Sequence, residues 1–195
     1  MLSNSHSNRC IKTIRAGHTV MTNIIESIRS EFLRYKGLGE GAINQIDEAA
    51  LSAEGPNRGS SIAVICWHIA GNLQSRFTDF LTSDGEKPWR DREEEFRPRT
   101  VTRAELLSKW GRGWETLLST LANLDDEQLP RTVTIRGLPL RVDEALHRSL
   151  AHVSYHVGQI VYLAKSSRGT AWTSLSIPPG QSTAYNQAPT RDRVN

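Results

Sequence analysis

Two histidines four residues apart are the first feature of this 195-residue sequence that suggests chemistry. His152 and His156 belong to a segment with a helical apolar period, so their imidazoles fall on one face, one turn apart. That spacing lets two neutral imidazoles converge on one divalent ion. The same spacing also occurs where histidines only pack or face solvent, so the pair alone leaves both interpretations open.

A third histidine, His68, lies beside the apolar stripe of an earlier helical segment. If the two helices are neighbours, His68 adds a third nitrogen and leaves a further position for water or substrate, as in catalytic zinc sites. Gln159 shares the face of His156. His147 precedes His152 by five residues, about 140° around the helix, so we do not expect it to join the group.

Other catalytic patterns are missing from the sequence. Val153 follows His152 where zinc proteases carry a glutamate, which disfavours protease chemistry. There is no serine-nucleophile elbow, no phosphate-binding glycine loop and no dinucleotide fingerprint. His6 and His18 fall in the N-terminal arm and receive no role. The sequence therefore identifies candidate metal ligands but no other catalytic residue.

Composition narrows the class of protein. The formal charge of +3 comes entirely from residues 1–20, which carry Arg9, Lys12 and Arg15 and no acidic side chain. The remainder has no excess of basic residues, so nucleic acid is not an expected partner. No apolar run is long enough for a transmembrane helix, and the N-terminus lacks a signal-peptide core. The two cysteines form no disulfide framework, and Cys66 is typical of a reduced core thiol, so we expect a cytoplasmic protein.

Apolar periodicity predicts four long helices. The first begins at a cap on Asn23 and is interrupted by Gly37, Gly39 and Gly41. Each glycine costs about 1 kcal/mol in a helix interior, so we expect this helix to weaken or kink. The second follows a loop at residues 55–59, is capped by Ser60 or Ser61, and its pattern ends around residues 82–85.

A long charged connection spans residues 84–101, and loops of this length are frequently lids or binding loops. We expect Trp89 and Phe96 to pin it onto the helices. Thr102 and Glu105 form a capping box for the third helix.

The period then changes to two around residues 132–142, which predicts a short β-hairpin before the last helix. We expect Asp143 to cap that helix, which should end at residues 166–169. Residues 172–177 are predicted to pack as an extended strap.

Several segments resemble the DinB-like superfamily, related to the YfiT-type metalloenzymes. The resemblance is carried by SIAVICWHIAGN (61–72) and HVSYHVGQI (152–160); RFTDFL (76–81), GEKPWRDR (85–92) and WTSLSIP (172–178) are similar to an uncharacterised bacterial branch. We therefore predict an all-α fold, a four-helix bundle with a long crossover loop and a small hairpin. Residues 1–20 would be a disordered arm, 21–180 the DinB-like domain and 181–195 a flexible tail.

The resemblance implies a metal site formed by His68, His152 and His156, a divalent ion that is often zinc or nickel, and homodimers in many members. It also implies a small-molecule substrate, because characterised relatives include transferases that use low-molecular-weight thiols. An open three-histidine site can hold a thiol as thiolate or lower the pKa of a water to about 7.

Thiol transfer, metal-dependent hydrolysis and a purely structural metal site all remain open on the sequence. No carboxylate shares the histidine face of the last helix, which favours thiol transfer slightly over hydrolysis. Lys87, Arg90 and Arg92 offer a docking surface for a charged thiol, although such alternating charge is more typical of a solvated loop.

Overall fold

The structure, a computed structural model, describes residues 23–189. Over this range the chain is mostly helical, with one small two-stranded hairpin. The predictions for residues 1–20 and 190–195 lie outside the described residues. The elements in chain order are α1 (Ile24–Asn44), α2 (Glu48–Ser52), α3 (Ile62–Phe77), α4 (Arg92–Glu95), α5 (Arg103–Ala122), β1 (Thr132–Ile135), β2 (Leu138–Arg141), α6 (Val142–Arg168) and α7 (Ser182–Gln187).

Helix α1 runs unbroken through its three glycines, so the predicted weakening is wrong. The reason is close packing against other parts of the chain. A β-carbon at Gly39 would lie 2.8 Å from the ring of Trp110, and one at Gly41 would lie 2.8 Å from Leu175. These glycines cost helix propensity but let large apolar side chains pack directly on the α1 backbone.

Most of the predicted helix caps are present. The amide of Thr102 donates a hydrogen bond to the carboxylate of Glu105, which completes the predicted capping box. The prediction for Asp143 is wrong, because α6 begins at Val142 and the carboxylate of Glu144 instead accepts a bond from the Arg141 amide at 2.7 Å. Among the predicted caps, the side chains of Asn23, Ser61 and Thr102 each accept a bond from the amide three residues later.

Helix α3 ends at Phe77, earlier than its apolar pattern predicts. Thr78 leaves the helical region, and Asp79 takes a positive φ of 48°. Phe80 nevertheless stays buried in the same core. The apolar pattern therefore continues beyond the helix because the chain turns while still packing on the core.

Packing between the long helices places the candidate site. α3 packs along α5 and α1 along α6, while a smaller contact joins α3 to α6. At the first of these contacts a β-carbon on Gly113 would lie 2.7 Å from the Cα of Ala70, so the two backbones approach closely. None of the helices between residues 23 and 189 is both long and apolar enough to cross a membrane.

The hairpin has the predicted position, with β1 and β2 paired antiparallel. Arg136 and Gly137 turn the chain at positive φ, and their amides each donate to the carboxylate of Asp84 at 2.8 Å. Amide hydrogen bonds from Glu86, Gly137 and Arg136 lower the pKa of Asp84 to about 2. Asp84, the first residue of the long connection, therefore anchors the connection to the hairpin.

The segment after α6 packs as predicted, as a strap across α1. The side chain of Gln45 accepts a bond from the amide of Thr173 and donates one to its carbonyl, at 2.8 and 3.0 Å. Trp172 and Leu175 pack against the core. Within the predicted flexible tail, residues Ser182–Gln187 form the short helix α7.

Two glycines on α5 provide a test of the α3–α5 contact. Gly113→Ala should lower the free energy of unfolding by about 1–3 kcal/mol, because its methyl group overlaps the α3 backbone. Gly111→Ala is the matched control, since a β-carbon added there would meet nothing within 4 Å. It should raise the free energy of unfolding by up to about 1 kcal/mol. Urea unfolding measures both. Equal stability of the two variants would contradict this close contact.

Candidate metal centre

Three histidine side chains converge between α3 and α6. His68 comes from α3, while His152 and His156 come from successive turns of α6. One ring nitrogen of each lies within 4.8 Å of the others, and the Nε2 atoms of His68 and His152 are 3.1 Å apart. Zinc–nitrogen bonds of about 2.0–2.1 Å allow two nitrogens of one ion this separation. The three histidines therefore lie close enough to bind a metal ion.

Two other candidate residues lie away from this group. His147 is exposed on α6 and does not belong to the cluster, as its angular position predicted. Cys66 is completely buried in the core, and burial raises the pKa of its thiol far above the ordinary range. Among the described residues the cluster is thus a set of imidazoles only, without thiolate or carboxylate.

Two of the imidazoles are oriented by hydrogen bonds to their other nitrogen. Nδ1 of His68 lies 2.9 Å from Oε2 of Glu95, and Nδ1 of His156 lies 2.7 Å from Oε1 of Gln159. Both partners are acceptors, so each Nδ1 carries the proton and each Nε2 presents a lone pair. Ligating histidines in metalloproteins are held in this way.

The cluster favours neutral rings. Burial, followed by the neighbouring charges of His156 and His68, lowers the pKa of His152 to about 3. Burial also lowers the pKa of His156, against the opposing effect of its bond to Gln159. Only a neutral imidazole can donate a lone pair to a metal, so these two rings are in the ligating form at neutral pH.

Glu95 is the functional residue that the sequence did not predict. It lies in α4, within the long connection, and is buried. Besides His68, its carboxylate accepts bonds from Nε and Nη2 of Arg90 at 2.8 and 2.9 Å. Burial alone would raise the pKa of Glu95, but the bonds from His68 and Arg90 lower it overall. Glu95 belongs to a run of alternating charges in the sequence. Such a run does not show which of its carboxylates is buried and which is solvated.

Aromatic side chains contribute unequally to the site. The ring of Phe96 packs 4.6 Å from that of His68, so it holds the connection on α3 as predicted. Trp89 is 58% exposed, and the prediction that it does the same is wrong. Trp67, the neighbour of His68 in the chain, packs under the guanidinium of Arg99 at 4.7 Å.

The basic side chains of the connection are already paired within the protein. The buried Lys87 ammonium donates to Ser83 and to the carbonyl of Asp84. Arg90 is held by Glu95 and lies 3.6 Å from Glu86. Lys87 and Arg90 therefore have internal partners, whereas Arg92, the third basic residue of the predicted docking surface, is 48% exposed and lies 3.2 Å from Glu93.

A cleft of about 570 Å³ opens beside the histidines. Its lining includes His68 and His156, together with the aromatic side chains of Phe96, Tyr155 and Tyr162. A volume of this size is typical of small-molecule sites. A ligand in the cleft can therefore reach the two histidine rings.

Comparison with known families places this site in context. The model of a family described as protein of unknown function DUF1572 matches residues 19–181. The chain belongs to this family. The DUF1572 region includes α1 to α6, the connection with Glu95 and all three histidines. No curated protein matches the chain.

Single histidine substitutions test the cluster. His68→Ala, His152→Ala and His156→Ala should each lose most of the bound divalent ion, because an ion held by two nitrogens dissociates more easily. The measurement is elemental analysis of untagged protein after reconstitution with zinc or nickel. His147→Ala, which changes an exposed histidine on the same helix, should keep about one ion per chain. Loss of metal from this control, with retention in His68→Ala, would contradict the assignment.

Because Glu95 contacts His68, a substitution of Glu95 should weaken metal binding, but less than loss of a histidine does. Glu95→Gln keeps the size of the side chain but removes the charge that orients His68, so metal affinity should fall about 10–100-fold. Competition with a chelator measures this loss. The control is Glu93→Gln, since the side chain of Glu93 is exposed on the same helix. Equal affinities of the two variants would show that Glu95 does not position a ligand.

Proposed function

We propose that the chain is a DinB-like four-helix bundle and a divalent-metal-dependent enzyme that acts on small molecules by thiol (S-)transfer. The observation that carries the proposal is the convergence of three imidazoles, two of which, those of His68 and His156, line a cleft of about 570 Å³. Catalytic metal sites keep a coordination position open to substrate, whereas structural sites are closed by protein ligands. Among the described residues the cluster holds three imidazoles, and no further His, Cys, Asp or Glu joins them.

His68, His152 and His156 would hold the ion. When bound, the ion supplies Lewis acidity, which keeps a thiol or a water deprotonated at neutral pH. The hydrogen bond from His68 to Glu95 fixes one ring, and the bond from His156 to Gln159 fixes another. Both bonds engage Nδ1 and leave Nε2 for a metal, and Nε2 of His68 lies 3.1 Å from Nε2 of His152.

The absence of a free base near the histidines supports thiol transfer over hydrolysis. Hydrolysis by a metal site is helped by a carboxylate or imidazole that accepts a proton from water. Both oxygens of Glu95 are already bonded to Arg90 and His68, and no other carboxylate among the described residues joins the cluster. A thiol has a lower pKa than water, so it needs less help to ionise.

Three further expectations belong to the same proposal. Zinc or nickel is the proposed ion, because both accept imidazole ligands and an additional thiolate. A cytoplasmic location fits the buried, unpaired Cys66. A homodimer is proposed from the resemblance to the DinB-like superfamily. A metal-dependent hydrolase and a structural metal protein are the alternatives.

Cobalt substitution tests the open coordination position. Addition of 2-mercaptoethanol to the cobalt-loaded protein should produce a sulfur-to-cobalt charge-transfer band in the near ultraviolet, because a thiolate can enter the position that the protein leaves open. The His156→Ala variant, treated identically, should show a weaker band or none. Full cobalt loading without a new band would contradict thiol transfer and favour a closed structural site.

A further inference from the structure

The cleft beside the histidines is lined without a single charged side chain. None of its lining residues, all within the described range, is Asp, Glu, Lys or Arg. Ile65, Phe96 and Leu163 supply apolar surface, and Tyr155 and Tyr162 supply aromatic rings. A carboxylate or ammonium buried here would lose its hydration and find no ionic partner. The lining therefore disfavours a charged ligand body.

One wall of the cleft is aromatic and accessible. Tyr155 and Tyr162 are seven residues apart on α6, which places them two turns apart on one face. They are 64% and 67% exposed, two of the most exposed large hydrophobic side chains among the described residues. Aromatic faces left open beside a pocket offer stacking and apolar contact to a flat ligand.

Another part of the lining comes from the backbone turn between α2 and α3. The amide of Gly55 donates to the carbonyl of Gly59 at 2.9 Å, and both residues line the cleft. Asn57 and Arg58, between them, both have positive φ, a conformation that costs energy for residues other than glycine. A β-carbon at Gly55 would lie 2.9 Å from the carbonyl oxygen of Ser60. The residues of this strained turn that line the cleft are uncharged, and the 91% exposed side chain of Arg58 is not among them.

The polar groups of the cleft are mostly paired with each other. The amide of Gln159 accepts from His156 and donates to the hydroxyl of Tyr155 at 3.3 Å. Nearby guanidinium groups are also engaged, since Arg92 lies over the Phe96 ring at 4.8 Å and Arg90 is bonded to Glu95. Arg90 and Arg92 are therefore already engaged within the protein and are not free to bind an anionic ligand.

We infer that the cleft binds an uncharged, largely apolar ring-bearing molecule, whose one metal-binding group reaches the histidines while its ring packs between α6 and the 55–60 turn. The inference rests on the proposed metal function, because the ion is the anchor for the polar end of the ligand. It goes further by naming the class of ligand. The cleft selects the apolar body, and the ion selects the reactive end.

Hydroxamic acids with one metal-binding head and different bodies separate these two contributions. The probes are acetohydroxamic acid, benzohydroxamic acid and 4-carboxybenzohydroxamic acid, titrated calorimetrically into the zinc-loaded full-length protein. Replacing methyl by phenyl should tighten binding at least about tenfold, since burial of several apolar carbons is favourable. The 4-carboxyl group should remove most of that gain because it carries charge into the cleft.

A glycine in the cleft provides a variant that keeps the fold and the ligands. Gly158 lines the cleft on α6, and no atom lies within 4 Å of the β-carbon it lacks. Gly158→Leu should therefore fill the cleft, retain zinc and abolish the preference for phenyl over methyl. Gly111→Leu is the matched control on α5, where a β-carbon also meets no atom within 4 Å, and it should retain the preference.

Zinc content is measured first in the same samples, so that the two ideas fail separately. A wild-type protein that retains zinc but shows no phenyl preference, or prefers the 4-carboxyl probe, overturns the inference and leaves the metal site standing. A phenyl preference unchanged by Gly158→Leu also overturns it, because the ring would then bind elsewhere. A wild-type protein that holds no zinc overturns both the metal function and the inference.

Discussion

The contact between α3 and α6 at the histidines is the constraint on which the site depends. It brings Nε2 of His68 within 3.1 Å of Nε2 of His152, although the two residues are 84 positions apart in the chain. Partly buried imidazoles in such proximity must be neutral, hydrogen-bonded or metal-bound, since charged ones would repel. The bonds to Glu95 and Gln159 resolve this by fixing the protons on the outer nitrogens. In His68 the remaining nitrogen, Nε2, is the one that lies against His152.

Local patterns in the sequence were sufficient for the four long helices, most of their caps and the hairpin, but not for the short helices α2, α4 and α7. Each depends on residues within a few positions of one another, such as Thr102 with Glu105. The pair His152 and His156 was predictable for the same reason. Assigning His68 to the cluster required knowing which helices are neighbours, and there the resemblance supplied what periodicity could not. The glycines of α1 misled, because propensity ignores the partner that packs on them.

Glu95 shows where local patterns stop being informative. It reaches the site from a connection 27 residues beyond His68, and its neighbours in sequence are exposed acids of the same type. What distinguishes it is burial beside Arg90, a property of the folded chain. The same holds for Lys87 and Arg90, whose charges in the sequence indicate solvent or a ligand and whose contacts are internal. Charge runs in long loops carry this ambiguity generally.

The position of Glu95 has a consequence for how this protein can evolve. Its carboxylate occupies the space above Gly71 on α3, where a β-carbon would lie 2.1 Å from Oε1. Any larger residue at position 71 would expel the acid and leave the guanidinium of Arg90 buried without that partner. Substitutions at positions 71, 90 and 95 should therefore be inherited together rather than independently. Position 71 lies three residues from His68 and contributes no metal ligand. Selection that preserves the histidine site should nevertheless restrict position 71 as well.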